Sequence, residues 1–179
     1  MKDWNVVATV HRRGFVRGCE LLEELGEVAR TDFHNVLVLR ARDPLEVPEA
    51  VRGWILEDPG VRSVLARVVP VTVTFPFRDA EEFRARAAAA VRCWVPDLLG
   101  KAFHVRMHRR GFRGRLRSPE EERRLDELLL GELEARGGPG RIAFEDPDAV
   151  IALETVGGRA GLSLWRREAL RRYPLLGLD

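Results

Sequence analysis

Apolar positions in the first half of the chain fall into short β-like runs separated by two helical stretches. Trp4 to Val10 is apolar and β-branched, which predicts a strand. Gly18 to Leu25 sets Leu21, Leu22 and Leu25 on one helical face, and Gly26 stops it. Val28 to Phe33 and Asn35 to Ala41 predict two strands, and Val47 to Glu57 a second helix with Val51, Trp54 and Ile55 turned inward ahead of Pro59-Gly60. Arg62 to Phe75 predicts a last strand bent at Pro70, because an interior proline interrupts a sheet ladder. The order is β-α-β-β-α-β, a ferredoxin-like arrangement.

At Phe75-Pro76-Phe77-Arg78-Asp79 the apolar period changes from two to about three and a half. This joint divides the chain into an N-terminal domain over 1–76 and a second α/β domain over 77–179, so the fold class is α/β (α+β). From Asp79 to Leu99 one face carries Phe83, Ala87, Val91, Trp94 and Leu98, with Pro96 ending or kinking the helix. A strand follows at Ala102 to Met107. Ser118-Pro119-Glu120-Glu121 predicts an N-cap, a first-turn proline and a carboxylate placed to satisfy free amides. The helix it opens turns Leu125, Leu128, Leu129 and Leu133 inward and ends at Gly137-Gly138. Arg141 to Phe144, Ala149 to Val156 and Gly161 to Arg167 predict strands, the last two joined at Gly157-Gly158.

With 179 residues, 45% of them apolar, the chain can bury a core without metal or disulfide staples. No apolar run is long enough to span a bilayer, and Met1-Lys2-Asp3-Trp4 does not open a secretory signal, so a cytoplasmic location with no membrane contact is expected. Cys19 and Cys93 read as ordinary thiols.

The net charge of +2 conceals an uneven distribution. Only Lys2 and Lys101 are lysines among the 30 Lys and Arg residues. Codon usage in a GC-rich genome explains the choice of arginine but not its placement. Between Asp97 and Glu120 there is no acidic residue, while Lys101, His104, Arg106, His108, Arg109, Arg110, Arg113, Arg115 and Arg117 all fall there. Arg166, Arg167, Arg171 and Arg172 crowd a single Glu168. His11-Arg12-Arg13-Gly14-Phe15 recurs as His108-Arg109-Arg110-Gly111-Phe112, each at a strand end, where glycine permits a sharp turn and arginines can meet phosphates. Period two puts His104, Arg106 and His108 on one face of their strand and Phe103, Val105 and Met107 on the other. Such a row fits RNA, since arginine grips phosphate through two hydrogen bonds and stacks on unpaired bases. It fits a solvated strand face as well.

Catalytic signals are sparse. His104 and His108 have no third metal ligand nearby, and Ser118 is accounted for by capping. No Gly-x-Ser-x-Gly, phosphate loop or dinucleotide fingerprint occurs. Glu145-Asp146-Pro147-Asp148 with Glu154 could hold a divalent cation for phosphoester chemistry, or form a turn.

The run Phe103-His104-Val105-Arg106-Met107-His108-Arg109-Arg110-Gly111, the following helix to Arg136, Ile142 to Glu154 and Arg159 to Glu168 together resemble a THUMP domain, an RNA-binding module of tRNA-modifying proteins. Leu25-Gly26-Glu27 and Asp32 to Val38 resemble the ferredoxin-like domain that precedes it. The resemblance implies that the pair grips the acceptor end of tRNA for a methyltransferase, thiouridine synthetase or deaminase domain. With the sequence closing at Asp179, it implies a standalone, non-catalytic adaptor similar to the one that delivers tRNA for cytidine acetylation. Such a protein would need no cofactor or metal and would work with a separate, acetyltransferase-like modifying enzyme. It assigns RNA contacts to Lys101, Arg106, Arg109, Arg110 and Arg113, to Arg166 and Arg167, and by the internal echo to Arg12 and Arg13. The competing readings are a small metal-dependent phosphoesterase built on the acids at 145–154, and a protein-interaction scaffold whose arginines pair with acidic helices.

Overall fold

The computed structural model describes residues 3–178, which group into two compact units. The first runs to Thr72 and takes in Arg171–Gly177. It comprises β1 (Val6–Val10), α1 (Phe15–Glu23), β2 (Gly26–Arg30), β3 (Val36–Ala41), α2 (Val47–Glu57), α3 (Val61–Val64) and β4 (Leu65–Pro70). The strands form one antiparallel sheet in the order β2-β3-β1-β4, the ferredoxin-like order expected of the sequence. Period-two alternation sends Val6, Ala8, Val10, Leu37, Leu39 and Val68 to one face, where they meet Leu21 and Leu22 of α1 and Val51 of α2. Pro48 sits in the first turn of α2, where a missing N–H costs no hydrogen bond. Gly18 of α1 is required for packing, since a Cβ there would lie 2.7 Å from Val10 Cγ1.

The single strand expected from Arg62 to Phe75 does not form. Val61–Val64 winds into α3, behind a turn in which Gly60 N–H donates to Asp58 Oδ1 at 2.8 Å. Pro70 ends β4 instead of bending it. The next strand, β5 (Val73–Pro76), belongs to the second unit and pairs with its last strand. The apolar run is continuous because it feeds two cores in succession.

The second unit covers Val73–Leu170. After β5 come α4 (Ala80–Arg92), α5 (Val95–Leu98), β6 (Ala102–His108), α6 (Ser118–Ala135), β7 (Arg141–Ile142), β8 (Ala149–Val156) and β9 (Arg159–Arg166), with α7 (Arg167–Arg172) leading out. The sheet order is β5-β9-β8-β6-β7, parallel around β6 and antiparallel from β8 outward. Phe103, Val105 and Met107 lie in the core with Phe83 and Val91 of α4 and Leu125, Leu129 and Leu133 of α6. Asp79 caps α4 by accepting from Glu82 N–H at 2.8 Å. The cap expected of Ser118 is absent: Ser118 is the first helical residue, Arg117 precedes it, and no side chain caps the end. Glu121 is drawn away from the helix terminus by Arg84 of α4, whose guanidinium holds it at 2.6 to 3.1 Å.

The outer edge of β6 explains two further carboxylates. β7 pairs only with Ala102 and Phe103, so the later N–H groups of that edge would lack partners. Val105 N–H donates instead to Asp126 Oδ1 (2.9 Å) and Met107 N–H to Glu122 Oε1 (2.7 Å), both on α6. Burial drives the Asp126 carboxyl up to about 7, with the neighbouring charges of Glu122 and Glu127 adding to the effect. Among the described residues no helix is long and apolar enough to cross a membrane.

Candidate nucleic-acid interface

The face of β6 opposite its apolar underside does carry His104, Arg106 and His108, but not as a solvated basic row. His104 is only 3% exposed, with Nδ1 2.8 Å from Ala143 O. His108 Nδ1 lies 3.5 Å from Glu154 Oε1. Arg106 is half-buried, and its Nε has no hydrogen-bond partner.

Where β6 ends, the chain makes a braced turn. Arg110 is held by backbone and side chain together: its N–H donates to Thr155 Oγ1 (3.0 Å) and Thr155 O (3.1 Å), and its carbonyl accepts from Gly157 N–H (2.9 Å). Its Nη1 lies 2.6 Å from Oε2 of Glu154, a carboxylate with no exposed surface. Burial lowers the Arg110 pKa, and the pair locks the turn against the β8–β9 hairpin. Arg109 Nη1 donates to Gly111 O. Gly111 has φ +104°, and a Cβ there would lie 3.2 Å from Gly157 Cα, so both handedness and space require glycine. The Phe112 ring packs 4.7 Å from that of Phe77, and the Phe112 carbonyl accepts from Arg115 and Leu116 N–H at 3.0 Å each. With Phe112 and the buried Leu116 as anchors, Arg113 and Arg115 project into solvent, neither with an acidic partner among the described residues. Arg117 beyond them is paired with Glu120 at 3.1 Å. Arg115 was not among the candidate contacts; its signal was its place between two apolar anchors.

Lys101, Arg166 and Arg167 gather at the other end of the sheet. The register matches Phe103 to Ala149 and Ala149 to Arg166, so they lie at the start of β6. At the strand rise, the length of β6 puts them ~20 Å from the turn. They line a shallow pocket of about 150 Å³ together with Asp97, Asp148 and Glu168. Charge there is largely balanced. Arg166 Nη2 meets Asp97 Oδ1 at 2.5 Å, and Arg167 bridges Asp148 Oδ1 (2.9 Å) and Asp146 Oδ1 (3.4 Å). The Asp148 carboxyl is held below its ordinary range, first by the Ala102 N–H at 2.8 Å and then by the charges of Arg167, Lys101 and Arg141.

Arg12 and Arg13, in the first unit, are exposed and have no acidic partner among the described residues. The echo is one of sequence more than of backbone. Gly14 has φ −96° and is required by closeness, since a Cβ would lie 2.7 Å from Val64 O.

The acids at 145–154 do not converge. Asp148 precedes β8 and Glu154 lies near its end, ~20 Å along the strand. Asp146 and Asp148 serve Arg167, and Glu154 serves Arg110. Among the described residues no group of three or more His, Cys, Asp or Glu side chains is arranged to hold a metal ion.

No protein-family model matches the chain, and neither does any curated protein. Solved structures share its fold. TrmN from Thermus thermophilus is 24% identical with a TM-score of 0.59, the match covering 90% of this chain and 45% of that one. A 4-thiouridine synthetase in complex with RNA and bound ATP is 13% identical, with a TM-score of 0.53 over 92% of this chain and 42% of its own. SMU.472, a putative methyltransferase complexed with SAH, is 16% identical, with a TM-score of 0.53 over 92% and 41%. The chain spans 40% to 55% of the lengths of such structures. The architecture is a THUMP-type α/β fold. These neighbours overturn the expectation of a non-enzyme: the fold occurs in a synthetase and in methyltransferases, so the scarcity of catalytic motifs within this stretch does not make the protein non-catalytic.

Proposed function

We propose that this chain is the RNA-holding part of an RNA-modifying enzyme, with tRNA as the RNA and its acceptor end as the region held. The observation that carries the reading is the braced turn after β6, which presents Arg113 and Arg115 with no acid to neutralise them. Phosphate contacts by arginine supply much of the affinity for RNA, and a rigid turn pays little ordering entropy when it binds. Arg109 and Arg106 flank that turn, and Arg12 and Arg13 offer a similar pair in the first unit. Arg110 acts as a positioning residue through Glu154. Lys101, Arg166 and Arg167 form a weaker, internally balanced patch. Fold neighbours that include an RNA-bound synthetase and an SAH-bound methyltransferase support a modifying reaction, and methyl transfer is the first chemistry to test.

The test is tRNA binding by the protein across a salt series. The affinity of the wild type should fall steeply with salt as counterions are displaced. The double variant Arg113→Glu, Arg115→Glu should bind ~10-fold or more weakly at low salt and lose roughly two contacts' worth of salt dependence. Absence of wild-type binding at low salt would remove the RNA reading and leave the scaffold as the starting point.

A further inference from the structure

Phe144 is 71% exposed, and it is the one aromatic ring among the exposed large apolar side chains of the described residues. It is also held in place. Ala143 N–H donates to Phe103 O at 3.1 Å and Ala143 O meets His104 Nδ1 at 2.8 Å, which fixes the backbone just before the ring. The His104 ring lies 5.1 Å from the Phe144 ring at 46°. Because His104 is buried, it backs one side of Phe144 while the other stays open to solvent. Two exposed cations stand nearby on paired strands, Lys101 just before β6 and Arg141 at the start of β7, and both act on the Asp148 carboxyl at this end of the sheet. Glu145 follows the ring in sequence and disfavours a phosphate directly on it, leaving the open face to an uncharged flat group.

We infer that the open face of Phe144, backed by His104, stacks on one unpaired nucleobase of the bound RNA, with Lys101 and Arg141 meeting the backbone beside that base. The inference rests on the RNA-binding reading and adds to it a site ~20 Å along the sheet from the Arg113–Arg115 turn. Base–aromatic stacking tolerates any base, because every base has a π-face. The site therefore selects single-stranded character and not sequence.

The experiment uses the full chain and one RNA hairpin in two forms, blunt or extended at its 3′ end by a short single strand containing 2-aminopurine. Wild type should bind the extended form about 5- to 100-fold more tightly than the blunt one, with quenching of the 2-aminopurine fluorescence. Phe144→Ala should lose both the preference and the quenching while binding the blunt hairpin as wild type does, and Phe144→Tyr should retain both. If wild type binds the blunt hairpin but shows no preference, or if Phe144→Ala keeps the whole preference, the stacking site is overturned and the phosphate-binding turn stands. If wild type binds neither RNA, the turn falls and the stacking site with it.

Discussion

At the scale of single residues, the side chains with the most unusual environments are acids occupied with structure. Asp126 illustrates the cost. Its carboxyl titrates near 7 in the fold against an ordinary value of 3.8, so between those values the folded state binds more protons than the unfolded chain. Its contribution to stability is therefore greatest below about pH 4 and declines as pH rises toward about 7. Urea midpoints taken at pH 5 and pH 8 should show this decline in wild type and a much smaller one in Asp126→Asn, whose carbonyl oxygen still accepts from Val105 N–H. An equal decline in both would place the titrating group elsewhere. Glu154 is a second case. Glu154→Gln should leave Arg110 buried beside a neutral partner, loosen the turn and weaken tRNA binding although Glu154 itself is shielded from solvent. The sequence displayed the arginines between Asp97 and Glu120 plainly, yet not which were already spoken for. Arg110 and Arg113 look alike in one dimension; one is clamped by a carboxylate 44 positions away and the other has no acidic partner.

At the scale of elements, local patterning was most readable where one element serves one core. The spans of α2 and β8 coincide with the expected Val47–Glu57 and Ala149–Val156: α2 has one apolar face and stops ahead of Pro59-Gly60, and β8 is a continuous buried run that stops at Gly157-Gly158. Readability failed where tertiary partners override local chemistry. Ser118-Pro119-Glu120-Glu121 has the composition of a capping box, but Glu121 gains more from a bidentate pair with Arg84 than from a free amide at the helix start. The run from Arg62 to Phe75 misled because strand propensity cannot show a change of sheet. The Arg84–Glu121 pair, which joins α4 to α6, carries its own prediction. Arg84→Ala leaves the buried Glu121 carboxylate with only Arg124, 3.8 Å away, as a cation and should cost about 2–3 kcal/mol in urea unfolding, less than the loss of a fully buried pair since Arg84 reaches solvent. Replacing both residues by apolar side chains of similar size should cost much less than that.

At the scale of the whole molecule, the chain leaves its first unit at Thr72, builds the second, and returns with Arg171–Gly177. Nothing in the spacing of Pro174-Leu175-Leu176 announces this return. Leu175 nonetheless enters the first unit's core, its carbonyl accepts from Val68 N–H at 2.7 Å, and Arg172 grips Glu49 of α2 through two nitrogens at 2.9 and 3.0 Å. The Arg172 hydrogen bonds hold the Glu49 carboxyl down at about 2. A depressed carboxyl stabilises above its ordinary value of 4.5 and loses that contribution as pH falls toward about 2, so Arg172→Ala should flatten the acid limb of the stability profile. Leu175→Ala should cost about 2–4 kcal/mol in urea unfolding, as the loss of a core leucine does.

That return also sets a timetable for synthesis. Roughly a hundred residues separate β4 from the leucine that completes its core, which at about 5–20 residues per second is a delay of about 5–20 s. During that interval the earlier unit has all four of its strands but a gap in the core where Leu175 belongs, and the later unit waits in turn for β9, which lies between β5 and β8. The residues made first therefore wait longest for their core to be filled, and a nascent chain stalled before residue 171 would expose the first unit to proteases and chaperones.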